Sequence, residues 1–529
     1  MHSFLQHIVH RSNKVVINKI MSRLSGEVFS ILLAFIVATS LSFAQTTYTD
    51  WTLHGNVTNN GTINVRRNII NATTGLVTVS GTGVVKLQGN TAGSHAIRCT
   101  NIADTYPVSI IRLDLIGIRV TTLNTPTLVP TRLRIGDGTT PYIAAIPGFT
   151  IGAQTLTIGD VSTYMATSTA PLTFNGGTVI FNGAAPQLIL NNAAGVTYGI
   201  LSLTGAGAKS VTTGGTVTAA TLTQTGGQLS VTENVDVTGT GSFTDIGAIS
   251  ATKKLRFTAT ATSGSVTSMN NSSTGTFENA SNGTVTITTL AGNTGTINQS
   301  GATGTLAFTN AAANNGTGTI TNTSTGTITF ANNLTGTGTV SQTANGIINV
   351  GGSFTQNTYT LATFGTVVYN GTAAQSVVGG ITYNNLTIAT TGGNATASAA
   401  ITLTGNLVIN LGSTLDMAGF TTSSFPGGSN NNAGTIKWSG NNVYVSGAGT
   451  TEFYSAAVGN VATGANYGFL LFSGTGMKTF AASPVTATGT MTVNAGAQVT
   501  VNNGVTVQVN GSTNISGNVT NNGVVNVGP

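Results

Sequence analysis

Catalysis needs titratable side chains brought together, and past residue 45 this 529-residue chain supplies few of them. The histidines in that region are His54 and His95, and neither has the Ser/Asp context of a nucleophilic triad. His95 stands four residues before Cys99, the single cysteine, a spacing open to a Cys/His or metal-ligand pair. The plainer reading is a small buried cysteine in a strand, and with no second cysteine there is no intrachain disulfide. A lyase- or hydrolase-type β-helix needs clustered carboxylates. Here eleven acidic residues are scattered past residue 44, and Glu233 and Asp236, three apart, come nearest to a cluster. A calcium-binding nonapeptide repeat needs Asp in every turn, and Gly136-Asp137-Gly138 occurs once. Lys209 in GAGAKS (205–210) and Lys478 in GTGMKT (474–479) invite comparison with a phosphate loop. That motif needs Gly directly before Lys, where Ala208 and Met477 stand, and no helical pattern follows. Both lysines are expected to be exposed caps on turns of a repeat. No catalytic, cofactor-binding or metal-ligating residue is assigned, no cofactor is expected, and the chain reads as a non-enzyme.

The most charged and least repetitive stretch is 95–137, with Arg98, Arg112, Asp114, Arg119, Arg132, Arg134 and Asp137. It is the first place to look for a specific site, although a loop-rich coil with solvated charges accounts for it. Arg112 and Asp114 share one face of a period-2 strand and read as a solvated ion pair. Lys253-Lys254-Leu255-Arg256 reads as a turn between strands.

The formal charge of +6 does not make a nucleic-acid binder. Setting aside residues 1–44 leaves 14 basic and 11 acidic residues, and from Phe257 onward only Glu278, Asp416, Lys437, Glu452 and Lys478 are charged. No Lys/Arg stripe is available to neutralise phosphates.

Residues 28–43 (VFSILLAFIVATSLSF) form an apolar run too short to span a membrane comfortably. Arg23 precedes the run and Ser42-Phe43-Ala44 ends it, which predicts a signal peptide over 1–44 cleaved before Gln45. A start at Met21 gives that signal an ordinary length. No membrane span is expected in the mature chain.

The elements that would carry any surface are repeats on two scales. Over 275–350, Gly-led strands recur as GTFEN (275), GTVTI (283), GTINQ (295), GTLAF (304), GTITN (318), GTITF (326), GTVSQ (338) and GIINV (346). Their spacing is uneven: GTVTI follows close on GTFEN, whereas GTITN comes well after GTLAF. On the longer scale, GTVIFNG (177–183) leads to YGILSLTGAGAKSV (198–211), GTVVYNG (365–371) to YNNLTI (383–388), and GTTEFYS (449–455) to YGFLLFSGTGMKTF (467–480). A degenerate copy runs from GVVKLQG (83–89) to IIRLDLIGIRV (110–120). Alternation places Leu201 with Leu203, Leu386 with Ile388, Leu470 with Phe472, and Leu113 with Leu115 on core-facing sides. GNVTNNGTINV (55–65) returns as GNVTNNGVVNV (517–527), so the pattern stops in mid-repeat at Pro529 and a longer chain is expected.

Thr and Val favour strands, and Gly and Asn favour tight turns. Short Gly-led strands in such close succession cannot bury their own apolar faces, whereas stacked coils can, with Asn and Thr forming ladders along the stack. The expected fold is all-β, an elongated parallel β-helix (β-solenoid) over 45–529, with about 20–30 residues per coil and about 4.8 Å of rise.

The run Tyr-x-x-Leu-x-Leu/Ile, Gly-x-Gly-x-Lys-Ser/Thr, ITLTGNLVI (401–409) and GSTLDM (412–417) resembles the repeats of large secreted surface proteins of Bacteroidetes. It is similar, more loosely, to autotransporter and filamentous-haemagglutinin passenger β-helices. The resemblance implies a right-handed β-helix at the cell surface, with an adhesin-like role. The partners it implies are host, surface or matrix glycans or proteins, with no nucleic acid. The first expectation is therefore a secreted or surface structural/adhesive rod. An ice-binding solenoid competes on Thr-x-Thr pairs such as TLT (155–157) and TITNTSTGTIT (319–329), but ice recognition needs a near-constant coil length, against which the uneven strand steps argue. A carbohydrate-binding or carbohydrate-active β-helix competes too, without a carboxylate cluster to support catalysis.

Overall fold

The computed structural model describes residues 45–528 except 49, 90–94, 101–105, 111, 118–120, 124, 130–131, 136–148, 160, 165–171, 192, 212–213, 421–422 and 426–428. The export signal expected at 1–44, Arg119 and Asp137 lie outside the described residues, as do the side chains of His95, Asp114, Leu115, Arg132 and Arg134. The described residues form strands, turns and bends with no helix, and the paired strands are parallel throughout. The chain is an all-β parallel β-solenoid, in two compact units, Met1–Gly159 and Asp160–Pro529.

The first unit winds through three faces. One face stacks Gln45–Tyr48, Thr62–Val65, Val84–Gly89, Arg112–Gly117 and Arg132–Ile135. The second stacks Trp51–Leu53, Asn68–Asn71, His95–Cys99, Thr121–Leu123 and Phe149–Thr150. The third runs from Val57–Thr58 through Val77–Ser80, Val108–Ile110 and Thr127–Val129 to Thr155–Ile158. Coil length is uneven here: the turn that returns Trp51 to Ile69 is short, and the one that returns Val79 to Ile110 is far longer.

The second unit repeats the design with shorter, steadier coils. Strand alternation fixes what is buried. Leu201, Leu203, Leu386, Ile388, Leu470 and Phe472 are each at most 1% exposed, as is Leu113 in the first unit. Like residues meet like along the stack, as in the register Val285–Leu306–Ile328–Ile348–Val367–Leu386. Aromatic rings stack the same way, Phe308 on Phe330 with centroids 4.9 Å apart and Phe453 on Phe472 at 5.2 Å. In three of the long repeats the tyrosine that opens the second strand is buried and donates its hydroxyl to an upstream carbonyl: Tyr198 to Leu190 (2.5 Å), Tyr383 to Val378 (2.7 Å), Tyr467 to Ala462 (3.1 Å).

Corners are held by amides. Asn271 donates to Asn293 (3.2 Å) and Asn293 to Asn314 (2.9 Å), each one coil on, and Asn314 reaches two coils on to Gln356 (2.8 Å), a buried ladder of amides. The same amides cap nearby glycine carbonyls, Asn271 to Gly275 and Asn293 to Gly295. Asn322 and Gly326 follow the same plan, and there the absence of a side chain matters: a Cβ on Gly346 would collide with the Asn322 amide and the Gly326 carbonyl.

Charged residues link coils. Lys253 pairs with Glu233 (2.6 Å), Lys254 with Glu278 (3.0 Å) and Arg256 with Asp236 (2.6 Å). The tetrapeptide read as a turn is mostly strand, Lys254–Phe257, because Leu255 and Phe257 alternate into the core and leave Lys254 and Arg256 facing outward.

Two substitutions test this packing. Leu386→Asp places an unpaired carboxylate in the core and is expected to cost about 3–5 kcal/mol. Asn293→Ala breaks one rung of the amide ladder and strands its neighbours' polar groups, for about 1–3 kcal/mol. Denaturant midpoints should fall in that order, with exposed Thr303→Ala unchanged.

Candidate functional site

The two repeat lysines do not sit where the sequence put them. Lys209 and Lys478 are buried, at 0% and 2% exposure. Each follows the alternation of its own strand: Lys209 shares the inward face with Val211, and Lys478 with Phe480. The two lysines have equivalent surroundings. Lys209 Nζ donates to the carbonyls of Gly207 (2.6 Å) and Gly183 (3.4 Å). Lys478 Nζ donates to the carbonyls of Gly476, Ser455 and Ala457. In both cases the glycine two positions upstream and the coil before supply the acceptors, so the ammonium acts as an internal cross-link. Burial lowers both lysine pKa values. Gln187 and Gln375 perform the same corner-filling task one coil earlier in their blocks, accepting from the amides of Gly183 (2.8 Å) and Gly371 (2.6 Å).

The charged stretch 95–137 gives no convergent site among its described residues. Arg112 extends to the Thr82 carbonyl (2.7 Å), and Arg98 folds onto the carbonyls of Cys99 (3.0 Å) and Thr100 (3.4 Å). Asp114 occupies the register position between Lys86 and Arg134. Cys99 is buried, with Sγ 3.5 Å from the Tyr106 carbonyl and 3.7 Å from Thr125 Oγ1. His54 is exposed. Among the described residues, no three His, Cys, Asp or Glu side chains are grouped to hold a metal ion.

Two ionisable clusters were missed by a linear reading because their members lie one coil apart. In the first, burial works to raise the Glu278 carboxyl, but the Ser300 hydroxyl (2.7 Å), Lys254 and Arg256 outweigh it and hold the group below its ordinary value. In the second, Asp416, Lys437 and Glu452 occupy one register column. Tyr454 donates to Asp416 (3.0 Å), and burial together with that carboxylate pushes its phenol up to about 12. Lys437 pairs with Glu452 (3.1 Å) and lies 5.1 Å from the centre of the Tyr454 ring. A lysine between the two carboxylates, and bonds already made by each, describe a cross-link between coils.

The outward side of one face carries a different pattern. Thr178, Ile200, Thr221, Thr240, Ser263, Thr284, Thr305, Thr327, Ile347, Thr366 and Asn385 are register partners in succession. The step per coil is nearly constant, with Thr221 to Thr240 among the shortest and Thr240 to Ser263 the longest. The uneven strand spacing seen in sequence therefore cancels within each turn. The residues two further along form a second column, hydroxylated at Ser202, Thr223, Ser242, Ser265, Thr286, Thr329 and Thr387. The columns are at least partly solvent-exposed and contain no charged residue. Hydroxyls meet between rungs, Thr223 with Ser202 (3.3 Å) and Ser265 with Ser242 (3.2 Å). The array repeats at about 4.8 Å along the stack and about 6.8 Å along the strand.

Compared with known proteins, the chain matches no family model, no curated protein and no solved structure. No helix among the described residues is long and apolar enough to cross a membrane.

The buried lysines make a pH test possible. With its pKa lowered by folding, Lys209 binds its proton less tightly in the native state than in the unfolded chain. Native stability therefore rises with pH until it passes the unfolded lysine value of about 10.5. Lys209→Met lacks this term, so in denaturant titrations at pH 7 and pH 10 the wild type should gain on the variant at the higher pH.

Proposed function

We propose that this chain is a secreted or cell-surface solenoid with a structural or adhesive role and no catalytic activity. One observation carries the reading: each described charged side chain of the second unit is engaged in holding the fold together. Lys253, Lys254, Arg256 and Lys437 bind carboxylates of neighbouring coils, and Lys209 and Lys478 cap corners. Asp245 accepts from Gln228 (3.2 Å) and Asp416 from Ala418 N (2.8 Å). Such groups serve the scaffold, and the outward faces are left to neutral hydroxyls and amides, surfaces suited to contact over area. The apolar run at 28–43 followed by Ser42-Phe43-Ala44 supports export, and the repeat resemblance supports a bacterial surface role with glycan or protein partners.

A second reading, ice binding, gains from the hydroxyl array, because the steady coils along that face meet the requirement for flatness that the strand spacing argued against. An ice face is a periodic plane of oxygens, and only a periodic plane engages many rungs at once.

Surface attachment and ice growth separate the readings. Under the adhesive reading, the full chain binds cells or matrix, and alanine at His54 or Arg112 leaves attachment and melting nearly unchanged, since exposed charges contribute under about 1 kcal/mol. Attachment abolished by one of these with an unchanged melt would reveal an overlooked site. Under the ice reading, the chain depresses the freezing point below the melting point and shapes crystals, and Thr286→Tyr with Thr329→Tyr removes both effects. Unaltered ice growth by the wild type rejects that reading.

A further inference from the structure

In the second unit, the face that carries Leu334 is interrupted between Phe354 and the strand Gln375–Val377. Up to that point the ladder is regular: Leu334 bridges Phe354, Leu334 N donates to Ser353 O (2.8 Å), and Thr355 N donates to Leu334 O (2.8 Å). In a parallel ladder, alternate residues bond to opposite neighbours. The carbonyl of Phe354 and the amide of Gln356 therefore point toward the next coil. Both are taken by one side chain. Tyr359 donates its hydroxyl to Phe354 O (2.8 Å) and accepts from Gln356 N (2.7 Å). The phenol stands where the next strand would have bonded.

That strand, Gln375–Val377, begins a new sheet and, among the described residues, pairs only with Ala395–Ala397 of the following coil. Gln375 N donates to Asn394 O (3.0 Å) and Ser398 N to Val377 O (2.9 Å), so residues 375 and 377 face forward. By the same alternation, the amide and carbonyl of Ser376 face back toward Tyr359 along an open edge. Between the two rungs lies a cleft of about 440 Å³. Ser353, Thr355, Asn357, Tyr359, Ser376 and Ser398 are among its lining residues, Ser398 Oγ already accepting from Gly379 N (2.9 Å), and no charged residue lines it.

We propose that this cleft binds a neutral saccharide. Its size suits a small ligand. Its hydroxyls, amide and open backbone edge match a ring rich in hydroxyl groups, and Tyr359 with Val378 and Ile381 offers an apolar surface to the ring's C–H face. The lining has no cation to recognise an anion. An added peptide strand would find one three-residue edge, and on the other wall the backbone groups are already satisfied by Tyr359. The inference names a ligand class for the adhesive reading and rests on it.

Saturation-transfer NMR on the full chain tests it, with cellobiose, maltose, lactose and the methyl glycosides of glucose, galactose and mannose as probes. A capped Thr/Ser tetrapeptide serves as the competing class. At least one sugar should bind at millimolar concentration or below. Ser376→Trp and Ser353→Trp, on opposite walls, should each weaken that binding about tenfold or more, or about 1.4 kcal/mol. Their melts should stay unchanged, and Thr286→Trp on another face should bind as the wild type does. If Ser376→Trp fails to fold, Ser353→Trp decides. Failure of all the sugars to bind, binding indifferent to the folded cleft variants, or binding of the tetrapeptide alone overturns the proposal. Sugar binding lost in these variants while wild-type attachment to cells is absent would sink the adhesive reading and leave the cleft standing.

Discussion

A short strand flanked by glycines has too few hydrogen bonds and too little apolar area to stand alone, so each coil here depends on the coil on either side. The governing constraint is phase. After each turn the chain must return with the same residue parity facing inward, because a slip of one residue would turn the apolar set out to solvent. The second unit meets this by returning at nearly constant intervals along its hydroxyl-bearing face. The first unit has turns as unequal as Trp51 to Ile69 and Val79 to Ile110, and it places the extra length between strands, leaving their registers parallel.

Phase also decides the chemistry of the corners. A turn that closes quickly leaves carbonyls directed inward, and they need donors that arrive from the same coil or the one beside it. Asn271, Asn293 and Asn314 serve this need with amides, and Lys209 and Lys478 serve it with ammonium groups. A buried ammonium without a carboxylate is costly. Several carbonyl dipoles focused on it offset that cost, and the cost is reflected in the lowered pKa values of both lysines. The second unit therefore uses its described ionic groups in the scaffold, and neutral groups dominate what remains on its outward faces.

The architecture was legible in sequence wherever alternation was clean. Leu201 with Leu203, and Leu386 with Ile388, announce their faces, and the Gly-led steps announce the turns. The lysines were misread because charge was weighed above parity: Val211 and Phe480, two positions on, already marked the inward side. Leu255 and Phe257 carried the same signal beneath the charges of Lys254 and Arg256. Other features lie beyond a linear reading. The pairing of Asp236 with Arg256, or of Lys437 with Glu452, depends on which residues become neighbours after a full turn. Coil constancy does not show in the steps from strand to strand, because long and short connections cancel within each turn. The cleft beside Tyr359 arises from one hydroxyl intercepting two backbone groups; Tyr359 lacks the Tyr-x-x-Leu pattern of Tyr198, Tyr383 and Tyr467, with Ala362 at the third place, but that difference does not say which backbone groups the hydroxyl meets.

The placement of basic residues has a consequence for resistance to proteolysis. Beyond Arg256 the chain contains only two, Lys437 and Lys478. Both lie within strands, one in an ion pair with Glu452 and the other enclosed in a corner. A trypsin-like protease must draw its target segment out of the fold before cutting, and a paired strand opens only with its neighbours. From Phe257 to Ile436 such an enzyme has no bond to attack even in the unfolded chain. The composition that leaves so little for catalysis thus also withholds the cleavage sites that a large class of digestive enzymes requires.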